Sequence, residues 1–418
     1  MRKLLYVLLF LFAAVSTRSA EHLGTIRVAI ENPTAEARPA SDIVLSIAEL
    51  RKVAPDFSPG ALFVTCAPDS AGSDAKGERE ELPSQVDDLD GDGKGDELAF
   101  QIDLAPRQKR IVTITYGGPD QILRMRHSYP QRTDALFSHK IEGLGWESDR
   151  IAFRVYFDPR NAIDIYGKHR RTLQLRLYAS PDYPYHEESP EGRDIFKVGE
   201  SIGIGGVGAW VNGRIAKAAD VKERKWRIVS TGPVRTIVEL EYVAWNLGAQ
   251  TVTMTSHITQ WAGEHGFYHC IAVVPPAALA FATGFPAKHG VTLAKSLSAS
   301  PGDIAWLASW GEQVVAPGPT ATEAIHGQNL GLAVLVDAQP MQCVENSVND
   351  LLTFTLRDGA ATWYAMAAWD REDTEQVPPP AVSGAITTND SFLAAVKGQS
   401  SRMRSPTIVK ILTGTESD

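Results

Sequence analysis

Between Trp146 and Lys168 the chain reads WESDRIAFRVYFDPRNAIDIYGK, and the spacing of its polar groups sets up a chemical question. Side chains on a strand alternate between faces. Ile151, Phe153, Val155 and Phe157 therefore share one face, and Arg150, Ala152, Arg154, Tyr156 and Asp158 share the other. After the PRN turn, Asp164, Tyr166 and Lys168 fall together opposite Ile163 and Ile165. From Arg150 to Arg176 seven Lys/Arg stand against two acids, Asp158 and Asp164, in a chain of net charge −9. A solvated sheet face with cross-strand ion pairs gives this pattern. So does a surface for an anionic sugar, on which rings stack against C–H faces and charged groups hydrogen-bond hydroxyls and carboxylates.

Other residues nearby could join such a site. His139 lies in FSHKIEG, a loop before the strand, where reactive groups are commonly placed. Glu147 follows Trp146, and an acid buried beside an indole titrates high. Asp194 and Lys197 precede the glycine-rich run GESIGIGGVG. A phosphate loop needs a helix after its glycines; none is patterned here, so these glycines read as turns and close backbone approaches. QWAGEHGFYHC offers His265 in a turn, while His269 alternates with Tyr268 in a buried strand. The chain has neither HExxH nor clustered Cys/His for zinc, and no GxSxG for a serine hydrolase. In DDLDGDGKGDELAF, Asp88, Asp90, Asp92 and Asp96 match the first half of a calcium loop. Ala99 stands where a bidentate Glu is expected, and a strand follows. The segment is either a structural calcium loop or an Asp/Gly-rich hairpin turn.

The elements that must position these groups are strands. GTIRVAIEN, RIVTITYGG, RTLQLRLYAS, VRTIVELEYVAW, QTVTMTSHIT and LLTFTLRDGAATWYAMAAW alternate or run apolar between turn residues. Helical periodicity is confined to SFLAAVKGQ and, ambiguously, ASDIVLSIAELRKV. The fold class read from this is all-β, antiparallel and sandwich-like. A change in strand length and aromatic content near residue 125 divides the chain into an N-terminal β-sandwich, 21–125, and a larger unit, 126–418.

Residues 1–20 have the charged start and short apolar run of a secretory signal. Its removal takes Arg2, Lys3 and Arg18 and no acids, moving the charge from −9 to −12. An exported, acidic protein is expected, with neither nucleic acid nor inserted membrane as a partner. Cys66, Cys270 and Cys343 allow at most one disulfide.

PSQVDDLDGDGKGDELAFQIDLAP, WESDRIAFRVYFDPRNAIDIYGK, DIFKVGESIGIGG and GPVRTIVELEY together resemble the bacterial domain-of-unknown-function family 4861 over nearly all of the mature chain. The resemblance implies an exported protein that accompanies enzymes dismantling acidic polysaccharides, with a galactose-mutarotase-like β-supersandwich. It also implies dehydration or elimination at C4–C5 of a uronate in an acidic oligosaccharide, with no catalytic cofactor. In that chemistry Arg154 or Lys168 would neutralise the uronate carboxylate, and Tyr166, His139 or His265 would remove the C5 proton. Tyr156 or Tyr166 would protonate the C4 oxygen, while Trp146, Glu147, Asp164, Asp194 and Lys197 would contact substrate. Two other readings compete: a glycoside hydrolase pairing Glu147 with Asp164 or Asp194, and a non-catalytic carbohydrate-binding protein.

Overall fold

The computed structural model describes residues 23–67, 79–248, 250–276, 279–287, 291, 293–297, 302–312, 327–337, 342–374 and 384–413. The expected signal segment lies outside them. Every ladder pairing between the strands of these residues is antiparallel, in five sheets, and the protein is an all-β sandwich as its alternating pattern requires. No helix of the described residues is long and apolar enough to cross a membrane.

The N-terminal unit is a sandwich of a five-stranded and a three-stranded sheet. Val28, Ile30, Val64, Leu98, Phe100, Val112 and Ile114 fill the space between them. The ambiguous ASDIVLSIAELRKV segment divides into a strand, Arg38–Ser46, and a short helix, Ile47–Val53. One boundary needs correction. The strand Ile408–Leu412, assigned by sequence to the larger unit, pairs with Gly24–Glu31 and forms an edge of the N-terminal sheet. Its neighbour in sequence, the helix Asn389–Arg404, starts from a Thr388 capping box and packs on the opposite unit.

The larger unit has an eight-stranded sheet facing two five-stranded sheets across one core. Phe153 and Ile165 enter this core from one small sheet, Phe281 from the other, and Phe267 and Leu332 from the large sheet. The expected parity therefore holds for the strand Ala152–Tyr156: its Phe and Val positions face the core. The two units are joined by charge as well as by packing. Arg235 bonds Asp87 and Glu97, both at 2.6 Å, and Val234 and Trp261 cover Ala99.

The glycine-rich run brings two sheets together. Gly203 has φ +70° and forms a parallel bridge with Ile163, whose carbonyl and amide lie where a side chain at 203 would begin. Replacing Gly203 by Ala forces a left-handed conformation and a backbone clash at once. Gly203→Ala should destabilise the protein by about 2 kcal/mol or more in denaturant unfolding; a smaller loss would mean that the Ile163 bridge is not a fixed point of the fold.

Candidate functional site

The site is built on three neighbouring strands, Gly143–Ser148, Ala152–Tyr156 and Ile163–Lys168. Register places Arg154 directly across from Asp164 on one side and from Gly145 on the other. Gly145 leaves room for Leu175, which belongs to a segment folded over this face. That segment contains the helix Leu175–Tyr178, a Pro-rich turn and the strand Gly192–Asp194, which pairs back onto Tyr166. The polar face is thus neither solvated nor an open concave surface. Ile141, Ala152, Tyr166, Leu175, Tyr178 and Tyr185 form a small second core over it.

Arg154 is only 1 % exposed, and its donors are all engaged. Nε donates to Asp164 at 3.1 Å. Nη1 donates to the carbonyl of Ile141 at 3.0 Å and to the Tyr185 hydroxyl at 3.2 Å. Nη2 donates to Asp164 at 2.7 Å, Tyr156 at 2.5 Å and Asp194 at 3.3 Å. The rings of Tyr156, Tyr166 and Tyr185 surround the guanidinium at 4.3, 5.3 and 5.6 Å. Burial opposes the cation, but Asp164 and the tyrosines outweigh it and move its pKa upward. Arg154 therefore organises the cluster and has no spare fork for a substrate carboxylate, contrary to the role expected from sequence.

The two tyrosines divide in character. Tyr166 is fully buried, stacks on Tyr178 at 5.1 Å, and its hydroxyl has no hydrogen-bond partner. Burial pushes its pKa well above the ordinary value, with Asp194 and Asp164 adding to burial and Arg154 opposing it. A nearby cation such as Arg154 would lower a tyrosine's pKa, but here removal from water dominates. Tyr156 lies at the edge of the cluster, 7 % exposed. Its hydroxyl donates to Asp164 at 2.9 Å while accepting from Arg154, and Arg160 covers its ring at 3.7 Å. Burial and Asp164 also hold its proton firmly. Asp164 itself is pushed up to about 6, first by burial and then by Asp194, with Arg154 opposing.

Outward from Tyr156 the cluster reaches solvent through residues that the strand pattern did not single out. His186, with its side chain 68 % exposed, places Nδ1 3.3 Å from Asp194 and its ring against Tyr185 at 4.2 Å. Lys140 sets its ammonium 5.6 Å from the Tyr185 ring. His139, next to it, is exposed and edge-on to Phe137 at 5.6 Å. The signal for Tyr185 and His186 lies in YPYHEESPEGRD, an aromatic and histidine group in a Pro/Gly-bounded turn that ends on Asp194.

Several expected site residues have other partners. Lys168 and Glu147 form a wholly buried pair; Lys168 also donates to the carbonyls of Ser148 and Thr172. Glu147 accepts from the backbone amides of Gln174 and Leu175, anchoring the start of the covering segment. Burial raises its pKa despite Lys168. Trp146 is enclosed in the main core. These three are closed to substrate because the covering segment, invisible to strand parity, lies over their face or because they face inward. His265 is buried and bonds Glu372 at 2.7 Å, which in turn bonds Arg150 at 2.7 Å. Burial opposes ionisation of Glu372, but His265 and Arg150 hold it at about 2. His265 is thus tied into an ion-pair network. Lys197 is half-buried three residues beyond Asp194. In the acidic loop, ligand oxygens of Asp88, Asp90 and Asp96 lie within 4.8 Å of one another, whereas Asp92 turns to Lys94 at 2.7 Å.

Fold and site define an antiparallel β-sandwich protein with a covered Arg–Asp–Tyr cluster and an Asp–His pair at its mouth. The chain belongs to the family described as Domain of unknown function (DUF4861), whose model matches residues 30–409. It is similar to Uncharacterized protein P7 of Formosa agariphila, with 28% identity over 201 residues, 43% of this chain and 48% of the relative. The matched stretch spans about half the length of that relative. A crystal structure of a glycosyl hydrolase family 38 protein from Enterococcus faecalis aligns with 94% of this chain and 48% of its own, at 8% identity and TM-score 0.46.

The raised Asp164 pKa gives a signed pH effect. A carboxyl that binds its proton more tightly when folded favours folding at low pH, and that contribution is lost as pH rises through about 6. Against Asp164→Asn, the parent should lose up to about 3 kcal/mol of relative stability between pH 4 and 7. Urea unfolding at several pH values reads this; a parent that gains on the variant over that range would contradict it.

Proposed function

We propose that this protein acts on uronate-containing oligosaccharides by elimination at C4–C5, as a dehydratase when C4 bears a hydroxyl and as a lyase when it bears a glycosidic oxygen. The observation that carries this reading is the Tyr156 hydroxyl, held between Arg154 and Asp164 and edging the mouth where Asp194 meets His186. Asp194 beside Nδ1 orients the imidazole and leaves Nε2 directed away from the protein's own carboxylate, which suits it to accept the C5 proton. Tyr156 keeps its proton at neutral pH, which rules it out as the base; it is the proton donor this reading assigns to the departing C4 oxygen. The half-buried cations Lys140 and Arg160, the latter paired with Asp158 and Glu142 at the rim, take the place first expected of Arg154 and Lys168 in meeting the substrate carboxylate. In the balance of the step, the C5–H pair forms the C4–C5 double bond, the C4–O bond breaks, and the oxygen leaves with the Tyr156 proton. An exported location would bring the enzyme to such glycans.

One observation favours a second reading. Asp164, up at about 6, and Asp194 both accept from a single Arg154 nitrogen, a close pair of carboxyls of the kind retaining glycosidases use. Elimination yields a conjugated product with near-ultraviolet absorbance; hydrolysis yields reducing ends without it. On uronate-terminated oligosaccharides, Tyr156→Phe and His186→Ala should each cut the absorbance rate by about a hundredfold or more. Tyr166→Phe should stay within a few-fold of the parent. Parental turnover by Tyr156→Phe would remove it from the chemistry.

The acidic loop is proposed as a structural calcium site separate from turnover, held by Asp88, Asp90 and Asp96. Calcium should raise the melting temperature of chelator-treated protein and leave the turnover rate unchanged. Asp88→Asn should abolish the rise and Asp92→Asn should keep it. Equal melting curves with and without calcium would reduce the loop to a hairpin turn.

A further inference from the structure

A helix packed on a sheet normally turns an apolar i, i+3, i+4, i+7 stripe to its support. The helix Asn389–Arg404 does this with Phe392 and Val396, which pack over the strand Asn329–Val336. Its next stripe, at the same spacing, is Lys397, Ser400, Ser401 and Arg404. That stripe lines one wall of a cavity of about 470 Å³. The facing wall comes from the strands Ala294–Ser296 and Ala305–Glu312, the second of which presents Trp306, and from the turn before that second strand, which presents Asp303.

We propose that this groove is a second saccharide-binding site, taking neutral, hydroxyl-rich pyranose residues of a glycan chain. The proposal rests on the carbohydrate reading above but on none of the residues of the Arg154 cluster. Three properties select the ligand. Its volume falls in the range of small-molecule sites. Trp306 is half-buried, so its indole is fixed by packing while keeping accessible surface for the C–H face of a sugar ring. Three serine hydroxyls, a guanidinium, an ammonium and two carboxylates ring that surface, a donor and acceptor set matched to vicinal hydroxyls.

Charge separates this groove from the proposed catalytic mouth. Lys397 and Arg404 are balanced by Asp303 and by Glu36, which reaches the groove from the N-terminal unit. Arg404 and Asp303 stand 3.8 Å apart with side chains 59% and 41% exposed, a loose pair whose polar atoms are open to a ligand's hydroxyls. A strongly anionic chain would meet the acids as readily as the bases. A neutral sugar gains hydrogen bonds from both. The uronate end of a substrate would then go to the Lys140 and Arg160 rim, and neutral residues of the same or another chain to the groove.

The test is binding of neutral oligosaccharides, from xylose-, galactose- and glucose-based panels of three to six residues, measured by calorimetry on the full chain. The parent should bind at least one of them. Trp306→Ala and, as a surface variant that leaves the core intact, Arg404→Ala should each weaken that binding tenfold or more. Both should turn over a short uronate substrate at the parental rate, and Tyr156→Phe should bind the neutral ligand as the parent does. No binding by the parent, or unchanged binding in both groove variants, overturns the proposal. If binding is lost in the groove variants while Tyr156→Phe retains parental turnover, the groove stands and the elimination mechanism falls.

Discussion

A charged group taken into a protein must bring its counter-charge with it, and the middle of this molecule is arranged around that requirement. Arg154 with Asp164, and Lys168 with Glu147, sit within one small sheet and are almost wholly sealed from water. Leaving either partner alone would cost several kcal/mol, so each pair dictates what may lie over it. Glu147 receives the backbone amides at Gln174 and Leu175 and so fixes where the covering segment starts. Arg154 receives Asp194 and the Tyr185 hydroxyl and so fixes where that segment returns. The cover is held at both ends by charges of the sheet beneath it.

This arrangement explains a division of labour between inner and outer residues. The inner cations are saturated by protein acceptors and orient their neighbours. The outer groups, His186, Lys140 and Arg160, keep surface for a ligand. Tyr156 belongs to both zones, since its hydroxyl is bonded inward while its edge approaches the mouth.

Strand alternation was enough to bring Arg154, Tyr156, Asp164 and Tyr166 onto one face and to send Phe153 and Ile165 into the core. Asp194 was legible instead from its place just before the glycine-rich run. What alternation cannot carry is information about what packs on the far side. The covering segment has no period of its own: a one-turn helix, a proline-rich bend and a three-residue strand. Its presence turned Tyr166 from a reactive group into a buried ring and Lys168 from a ligand into a counter-ion. His265 was misread for a related reason. Its partners Glu372 and Arg150 lie more than a hundred residues away in either direction, and no local pattern announces a pairing of that kind. The edge strand Ile408–Leu412 shows the same limit, because its sequence fits any sheet and only the tertiary path assigns it to the N-terminal one.

That edge strand has a consequence for the N-terminal sheet. Gly24–Glu31 and its outer partner stand at opposite ends of the described residues, so this sheet edge depends on a contact between the most distant parts of the described chain. Without Ile408–Leu412 the N-terminal sheet would present a bare strand edge, a surface that readily recruits foreign strands. Arg38, bonded to the carbonyl of Ser405 just before that strand, helps to hold it in place. One short strand thus separates an adhesive sheet edge from a covered one.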